Sequence, residues 1–105
     1  MHTVLTHKEV VARKEYRDDC RDHLDWGILH LDGNKWSVSP IEIQSLKISN
    51  EDVEMLQRHC DKGFKILPGE LHKYQTGTYD GDFYSVRMSI EVSDFLTKYD
   101  LWYED

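Results

Sequence analysis

Apolar residues recur at helical spacing in the first quarter of the chain. Residues 7–24 contain no Gly or Pro and are rich in Glu, Lys and Arg, which favour helix. A capping-box sequence, Thr6-His7-Lys8-Glu9, opens this stretch. The apolar stripe that a helix would form consists of Val10, Tyr16, Cys20 and Leu24, with Val11 and His23 at its margin. The pattern therefore predicts an N-terminal helix whose opposite face is dense in charge.

A β-hairpin is predicted directly after this helix. Gly27 ends the helix, and two short runs follow, Ile28-Leu29-His30-Leu31 and Lys35-Trp36-Ser37-Val38. The residues between them, Asp32-Gly33-Asn34, include an Asp-Gly pair, which supplies the positive φ angles that tight hairpin turns need. The two runs are therefore expected to pair as antiparallel strands.

The middle of the chain has two helix-start signals. Ser39-Pro40 predicts a short helix over 40–47, although the alternation of Ile41-Glu42-Ile43 also fits a strand. Ser49-Asn50-Glu51-Asp52 opens a second predicted helix, over 50–61. Its apolar face consists of Val53, Leu56 and Cys60, and Gly63 is placed to end it.

The last third of the chain predicts a second hairpin followed by a helix. Pro68-Gly69 marks a turn. The elements after it are a strand over 70–75, a loop over 77–81, a strand over 82–88, a helix that begins after Ser89, and a docked tail of Leu101, Trp102 and Tyr103. Together the patterns predict one α+β domain over residues 1–105. It has an N-terminal helix and β-hairpin, a central helix or helices, and a C-terminal β-hairpin plus helix.

Length and composition agree with one folded domain. A chain of 105 residues can form one modest core, and its 39% hydrophobic and 11% aromatic residues exceed what disordered chains contain. The 13 Lys and Arg against 20 Asp and Glu give a formal charge of -7. This balance disfavours duplex DNA and anionic membranes as partners, and it fits a protein partner with a basic surface.

Nothing in the sequence indicates secretion or membrane insertion. No stretch approaches the roughly 18 apolar residues that span a bilayer. The first residues lack the basic-then-apolar pattern of a signal peptide, and Cys20 and Cys60 have no paired spacing. We therefore expect a soluble cytoplasmic protein, with the oligomeric state open between a monomer and a dimer.

A skeleton of turn and strand residues between Cys60 and Leu96 has a family resemblance. Its parts are Cys60-Asp61-Lys62-Gly63, Ile66-Leu67-Pro68-Gly69-Glu70, Asp80-Gly81-Asp82-Phe83-Tyr84 and Arg87-Met88-Ser89-Ile90-Glu91-Val92. The skeleton resembles small zinc-knuckle proteins common in phage and prophage genomes. Those proteins have Cys-x-x-Cys, then Gly-Glu, then Asp-Gly-x-Phe, then Arg-x-His-x-x-Cys, and four ligands close a tetrahedral zinc site.

Three of the four ligand positions of that pattern differ in this chain. Gly63, Ser89 and Val92 stand where the pattern has Cys, His and Cys, and Cys60 alone is retained. The resemblance therefore implies a degenerate zinc finger without metal and without another cofactor. It also implies a phage or mobile-element accessory protein that acts in the cytoplasm of a host cell.

A separate metal site is the alternative for the cysteines. Cys20-Arg21-Asp22-His23 has the spacing of a ligand pair on one helical face, so a zinc ion would take Cys20, His23, His59 and Cys60. His59 and Cys60 are adjacent, however, and adjacent helical residues point about 100° apart. The competing interpretation is that both thiols are small core residues.

Candidate catalytic residues are few. His30 lies between apolar residues on a predicted strand, which is typical of a structural histidine. Asp80 and Asp82 flank Gly81 and fit a hairpin turn better than an acid–base pair. The sequence places no Ser or Cys nucleophile beside a base and contains no Gly-rich phosphate loop, so we expect no enzymatic activity.

The leading functional prediction is a protein–protein interaction module that covers a surface of a host protein. The binding surface would be the charged face of the first helix, with Glu15, Asp18, Asp19, Asp22 and Asp25 as its acids. The competing interpretation is a solvated face whose acids pair with the interleaved basic residues.

Single-stranded nucleic acid is the alternative partner, because bases stack on Tyr and Phe side chains. The residues of the second hairpin that would bind it are Lys73, Tyr74, Phe83, Tyr84 and Arg87. The competing interpretation is that these aromatic residues form the core of a metal-free hairpin.

Overall fold

A computed structural model describes residues 2–25 and 27–102 of the chain. These residues form three α-helices and seven strands. In chain order the elements are β1 (His2–Val11), β2 (Tyr16–Arg17), a 3-10 helix (Asp19–His23), β3 (Leu29–Asp32), β4 (Lys35–Val38), α1 (Pro40–Leu46), α2 (Asn50–Asp61), β5 (Lys65–Ile66), β6 (Leu71–Tyr79), β7 (Asp82–Met88) and α3 (Ile90–Lys98). The mixture of helices with antiparallel strands confirms the predicted α+β class.

A three-stranded antiparallel sheet of order β1-β6-β7 is the largest of three sheets. Strand β1 runs along β6 from the pair His2 and Tyr79 to the pair Val11 and Leu71. A bulge between Val4 and Thr6 leaves one extra residue in β1. The other two sheets are two-stranded and pair β2 with β5 and β3 with β4.

The predicted N-terminal helix over 7–24 is wrong, because the chain begins with β1 instead. The strand contains Thr3, Val4, Thr6, Val10 and Val11, whose β-branched side chains favour a pleated surface over a helix. Its partner β6 lies more than 60 residues further along the chain, so no local signal announces the pairing. The predicted capping box lies inside the strand, where the hydroxyl oxygens of Thr6 and Thr76 are 2.7 Å apart.

The rest of the predicted helix divides between β2 and the 3-10 helix. Tyr16 and Arg17 pair with Ile66 and Lys65 of β5. Cys20 and Leu24 reach the core as the stripe predicted, whereas Val11 is 60% exposed on β1. Part of the apolar pattern was therefore correctly assigned to the core, but on a different backbone.

Locally signalled elements agree with the prediction. The hairpin β3–β4 forms around Gly33, whose φ is 65°, and α1 forms in place of the competing strand. Helix α2 spans the predicted residues, and the Ser49 hydroxyl caps it by accepting a hydrogen bond from the Asp52 backbone N–H at 3.2 Å. Gly63, with a φ of 70°, follows its last turn.

The second hairpin is longer than predicted. Residues 77–79 belong to β6, so the predicted loop over 77–81 shrinks to the two residues Asp80 and Gly81. Both have positive φ, 49° and 87°, as a tight two-residue hairpin turn requires. Strand β7 and the start of α3 after Ser89 match the prediction.

The core lies between α2, α3, the 3-10 helix and the β3–β4 hairpin. Its fully buried members include Leu24, Ile28, Leu56, Val92 and Leu96. Leu101 and Trp102 pack against it as the tail prediction expected, and Tyr103 lies outside the described residues. Of the three-stranded sheet, Met88 belongs to this cluster and Val86 packs against it, so the described contact between sheet and core is made through the end of β7.

No helix in the described part of the chain combines the length and the apolar character that crossing a bilayer requires.

Candidate functional site

One face of the three-stranded sheet has no acidic side chain among its described residues. Successive strand residues point to opposite faces, so the strand pairing assigns each residue to one side. The eleven residues of this side, called the acid-free face below, are Thr3, Thr6, Lys8, Val10, His72, Tyr74, Thr76, Thr78, Phe83, Ser85 and Arg87. The chain as a whole contains 20 Asp and Glu, so the absence of carboxylates here is specific to the face.

The acid-free face is open to solvent over most of its length. Phe83, beside the β6–β7 turn, is 81% exposed, which contradicts the interpretation that it belongs to a hairpin core. Lys8 and Ser85 are also exposed. At the other end of the face His72 is fully buried, and the Tyr16 ring lies 5.8 Å from the His72 ring.

A basic cleft of about 530 Å³ borders the acid-free face at the β2 end. Its polar and aromatic lining consists of Lys8, Arg13, Arg87, Tyr16 and Tyr74. None of the described residues that line it is acidic. Lys14 adds a fourth cation nearby, with its Nζ atom 5.5 Å from the Tyr16 ring centroid. The cleft is therefore a concentrated positive region on a protein of charge -7.

Arg87 is held between two aromatic rings. Its guanidinium carbon lies 3.9 Å from the Tyr16 ring centroid and 4.3 Å from that of Tyr74. Its Nη1 atom lies 2.9 Å from Nε2 of His72. Because arginine only donates, His72 Nε2 must accept, and Nδ1 then carries the proton and donates to the Glu70 carbonyl at 3.3 Å. The Arg87 guanidinium is thus held in place by Tyr16, Tyr74 and His72.

Two aspartates position the segment that presents Tyr16. Asp19 Oδ2 accepts a hydrogen bond from the Arg87 backbone N–H at 2.8 Å, which joins the segment to β7. Asp18 is 1% exposed, and its Oδ1 accepts from the backbone N–H groups of Cys20 at 3.0 Å and Ser89 at 3.2 Å. Burial raises the pKa of Asp18. These carboxylates therefore hold the segment that presents Tyr16 against β7 and the start of α3.

The five acids of the predicted binding surface are not displayed along one long helix. Asp19 and Asp22 lie on the short 3-10 helix, and Asp18, which precedes it, is buried. Arg17 forms salt bridges with both Asp19 and Asp22, and its hydrogen bond lowers the pKa of Asp22. The remaining two acids are exposed, and Glu15 lies 3.6 Å from Lys65 while Asp25 follows the 3-10 helix. The five carboxylates are thus not assembled into one exposed patch.

The predicted nucleic-acid residues divide between the two faces of the sheet. Tyr74, Phe83 and Arg87 lie on the acid-free face, whereas Lys73 and Tyr84 lie on the opposite face. Lys73 donates to the Ser93 hydroxyl at 3.2 Å and forms a salt bridge with Asp94 at 3.3 Å. Lys8, Arg13 and Tyr16 also line the cleft, and the predicted first helix gave no sign of this because all three fall within its bounds.

Tyr84 has a structural function on the opposite face. Its hydroxyl accepts a hydrogen bond from Gln75 Nε2 at 3.0 Å. Its ring also lies over Gly77 on the neighbouring strand, where a Cβ atom would come within 2.5 Å of the hydroxyl oxygen.

The opposite face borders a second cleft, of about 590 Å³, beside α3 and the C-terminal tail. Its lining mixes charges of both signs, including Asp19, Asp22 and Lys73, which already have partners within the chain. The His23 ring packs edge-on against Trp102, with centroids 4.9 Å apart, and burial lowers the pKa of His23. This cleft therefore lacks the uniform charge of the first.

The four residues of the alternative zinc site are not brought together as ligands. Among the residues with described positions, no group of three or more His, Cys, Asp and Glu side chains is placed to hold a metal ion. Cys20 and Cys60 are free thiols in the core. Burial raises the pKa of Cys60 to about 11 and also raises the pKa of Cys20, so both groups are neutral thiols at pH 7.

Ser89, His59 and Glu91 lie close together but do not have the geometry of a catalytic triad. His59 Nε2 is 3.5 Å from the Ser89 hydroxyl and 3.4 Å from Glu91 Oε1. In a triad the acid and the nucleophile contact opposite ring nitrogens, whereas here both contact the same one. His59 and Ser89 are also buried, so the group links α2 to α3. The other candidate residues lie elsewhere. His30 is exposed on β3, Asp80 is the first residue of the β6–β7 turn, and Asp82 begins β7.

Comparison with protein-family models, with curated proteins and with solved structures finds no match. The hairpin-then-helix order between residues 70 and 96 is present. The zinc-knuckle resemblance itself remains a prediction.

Two substitutions of Asp18 separate the contribution of its acceptor oxygen to stability from the effect of its buried charge. Asp18→Ala removes the acceptor of two backbone N–H groups and should lower the free energy of unfolding by about 2 kcal/mol. Asp18→Asn retains the acceptor without a buried charge, but it also buries an amide NH2 group where Oδ2 has no partner, so at neutral pH it should be more stable than Asp18→Ala. Urea unfolding of all three proteins measures both effects.

The difference in stability between the wild type and Asp18→Asn should depend on pH. Because the folded pKa of Asp18 is raised, the folded protein binds more protons than the unfolded chain between the unfolded pKa of about 3.9 and the folded value. The stability from this group therefore falls as pH rises through that window. Relative to Asp18→Asn, the wild type should gain stability as pH is lowered toward 4. If Asn destabilised as much as Ala at neutral pH, the charge itself would be stabilising and this account of Asp18 would be wrong.

Proposed function

We propose that the protein is a non-catalytic binding protein for single-stranded nucleic acid, and that the acid-free face with its basic cleft is the binding surface. The observation that supports this most strongly is the distribution of acids. At the average of 20 acids in 105 residues, a face of eleven residues would have about two. This face has none among its described residues, and three cations line the adjoining cleft.

The chemistry of the surface fits a single strand. Unpaired bases stack on exposed aromatic rings, and Phe83 presents such a ring near the β6–β7 turn. Lys8, Arg13 and Arg87 can neutralise backbone phosphates at the cleft. Phe83 and Arg87 are four residues apart on one strand, which corresponds to about 13 Å. A base on Phe83 and phosphates at the cleft would therefore belong to one short segment of a few nucleotides.

The overall charge favours a single strand over a duplex. A duplex presents dense phosphate charge on all sides. The acid-free face contributes the two cations Lys8 and Arg87, so the rest of the chain has a formal charge of -9. A flexible single strand can follow the cleft and leave that acidic surface. An open face with one strongly exposed aromatic ring also offers stacking that paired bases cannot use.

A protein partner with a basic surface has less support. That prediction depended on a row of acids along one long helix. The structure has a two-residue strand and a short 3-10 helix there, with Asp18 buried and Arg17 paired with Asp19 and Asp22. Origin in a phage or another mobile element rests on the zinc-knuckle resemblance alone.

Fluorescence anisotropy with labelled oligonucleotides tests the proposal. We expect a single strand of about twelve nucleotides, oligo(dT) or oligo(U), to bind more tightly than a duplex of the same length. Affinity should fall between about 50 and 200 mM salt, with a log–log slope near -2 if three cations contact phosphates. The comparison of oligo(dT) with oligo(U) reports which sugar is preferred.

A charge-reversal pair provides the control for this experiment. Arg13→Glu places an acid in the cleft, whereas Lys47→Glu makes the same charge change at an exposed position after α1. Arg13→Glu should weaken binding and reduce the salt slope, and Lys47→Glu should have little effect. Equal losses in the two variants, or no binding of single strands at low salt, would contradict the proposal.

A further inference from the structure

The two edges of the three-stranded sheet differ in how they are covered. The β7 edge is covered near Arg87, where Asp19 accepts a hydrogen bond from the backbone N–H and the 3-10 helix packs alongside. On the outer side of β1 no described strand is paired, although β1 is ten residues long. Long edge strands in folded proteins are usually shortened, covered or paired, so the free edge of β1 needs an explanation.

The backbone groups of β1 that point away from the sheet can be identified. The Ala12 N–H donates to the Glu70 carbonyl at 2.8 Å, and the Gly69 N–H donates to the Ala12 carbonyl at 2.8 Å, so both groups of Ala12 face β6. Backbone direction alternates along an antiparallel strand. The N–H and C=O groups of His7, Glu9 and Val11 therefore point outward, where no described strand meets them.

Exposed apolar side chains lie along the same edge. Val4, Leu5 and Val11 are 48%, 53% and 60% exposed. Leu5 is the extra residue of the bulge, and Val11 ends the strand. An edge that offers unpaired backbone groups together with apolar side chains is suited to pairing with another strand.

We propose that β1 pairs in antiparallel orientation with β1 of a second copy of this chain, so that two three-stranded sheets become one six-stranded sheet. A twofold axis makes each residue of one strand meet its counterpart in a self-complementary register. One register centred on Lys8 places His7 opposite Glu9 of the second copy and Val11 opposite Leu5. An imidazole then meets a carboxylate and an exposed apolar residue meets another, twice each, which is the argument for a second copy as the partner.

The register has one unfavourable contact, between Lys8 and its counterpart at the axis. Lys8 lies on the acid-free face, where its side chain is exposed. A twofold axis that relates antiparallel neighbours is perpendicular to the sheet, so both acid-free faces lie on the same side. If the proposed function is right, the paired lysines meet a bound phosphate backbone that crosses from one copy to the other, but the dimer itself does not depend on that function.

Native mass spectrometry and light scattering after size exclusion test the dimer without nucleic acid. The wild type should be dimeric in the micromolar range. Val11→Lys should weaken dimerisation at least tenfold, because it places a charge opposite Leu5. Ile41→Lys is the matched control, since Ile41 is 76% exposed on α1, away from β1, and this variant should remain dimeric.

A second variant acts on the backbone. Glu9→Pro removes an outward N–H that makes no bond to β6, and proline is tolerated at such edge positions. It should be monomeric and folded by circular dichroism. A wild type that stays monomeric, or a dimer that persists in both Val11→Lys and Glu9→Pro, would overturn the inference. A wild type that is monomeric and still binds oligonucleotide would overturn the dimer alone and leave the proposed function standing.

Discussion

Gly77→Ala should lower the free energy of unfolding by about 3 kcal/mol. A Cβ atom on Gly77 would lie 2.3 Å from the carbonyl oxygen of Thr3 in β1 and 2.5 Å from the hydroxyl oxygen of Tyr84 in β7. The Tyr84 side chain could rotate away, but the Thr3 oxygen belongs to the backbone of a paired strand. The added methyl group must therefore separate β1 from β6 or distort the ladder between them.

Chemical unfolding in urea measures this loss, and Gly27→Ala is its control. The nearest side-chain atom to a Cβ on Gly27 is 3.8 Å away, in Glu42, so this variant should lie within about 0.5 kcal/mol of the wild type. A Gly77→Ala protein as stable as the wild type would show that β1 does not pack against β6 at this point. The pairing of β1 with β6, and with it the assignment of the acid-free face, would then be wrong.

Phe83→Ala should weaken the binding of a single-stranded oligonucleotide about 5- to 150-fold, which corresponds to roughly 1–3 kcal/mol for the loss of one stacked base. The Phe83 side chain is 81% exposed and lies beside the β6–β7 turn. Its removal therefore takes away a stacking surface while little packing is lost, and the free energy of unfolding should change by less than about 0.5 kcal/mol.

Anisotropy titrations at fixed salt measure the effect on affinity, with Ile41→Ala as the matched control. Ile41 is 76% exposed on α1. The Ile41→Ala protein should bind oligonucleotide with the affinity of the wild type. Unchanged affinity of Phe83→Ala, with the wild type binding, would remove the stacking part of the proposal. Binding would then have to be attributed to charge at the cleft alone.

Elements with their own local signals could be predicted from the sequence. The β3–β4 turn, the Ser49 cap of α2 and the Gly63 that follows it depend on signals within a few residues. The cap and Gly63 occur as expected, and the hairpin forms with Gly33 and Asn34 as its turn, while Asp32 pairs with Lys35. Each signal works because the backbone conformation it favours is decided locally, by side-chain hydrogen bonds or by the freedom of glycine.

Strand β1 could not be predicted with the same rules. Its Lys and Glu residues favour helix while its Val and Thr residues favour strand, and the two tendencies nearly balance. Pairing with β6 decides between them, and that partner lies more than 60 residues away. The predicted helix over 7–24 includes Lys8, Arg13 and Tyr16, so the sequence predicts only part of the cleft.

The candidate site was partly accessible from the sequence. Tyr74, Phe83 and Arg87 were identified on the second hairpin and share the acid-free face. Alternation along β6 and β7 could have separated Lys73 and Tyr84 from them, because neighbouring strand residues point to opposite sides. The burial of Asp18 had no such signal, since it depends on the N–H of Ser89 at the start of α3.

The most direct test of the central claim is a two-dimensional ¹H–¹⁵N NMR titration of the wild-type protein with single-stranded oligonucleotide. The account predicts that amide shifts concentrate at Lys8, Arg13, Tyr74, Phe83 and Arg87, whereas Ile41 and the exposed acid Asp25 stay unchanged. Shifts centred on the opposite face or on the region of Glu15 to Asp25, with Phe83 and Lys8 unaffected, would contradict the acid-free face as the binding surface.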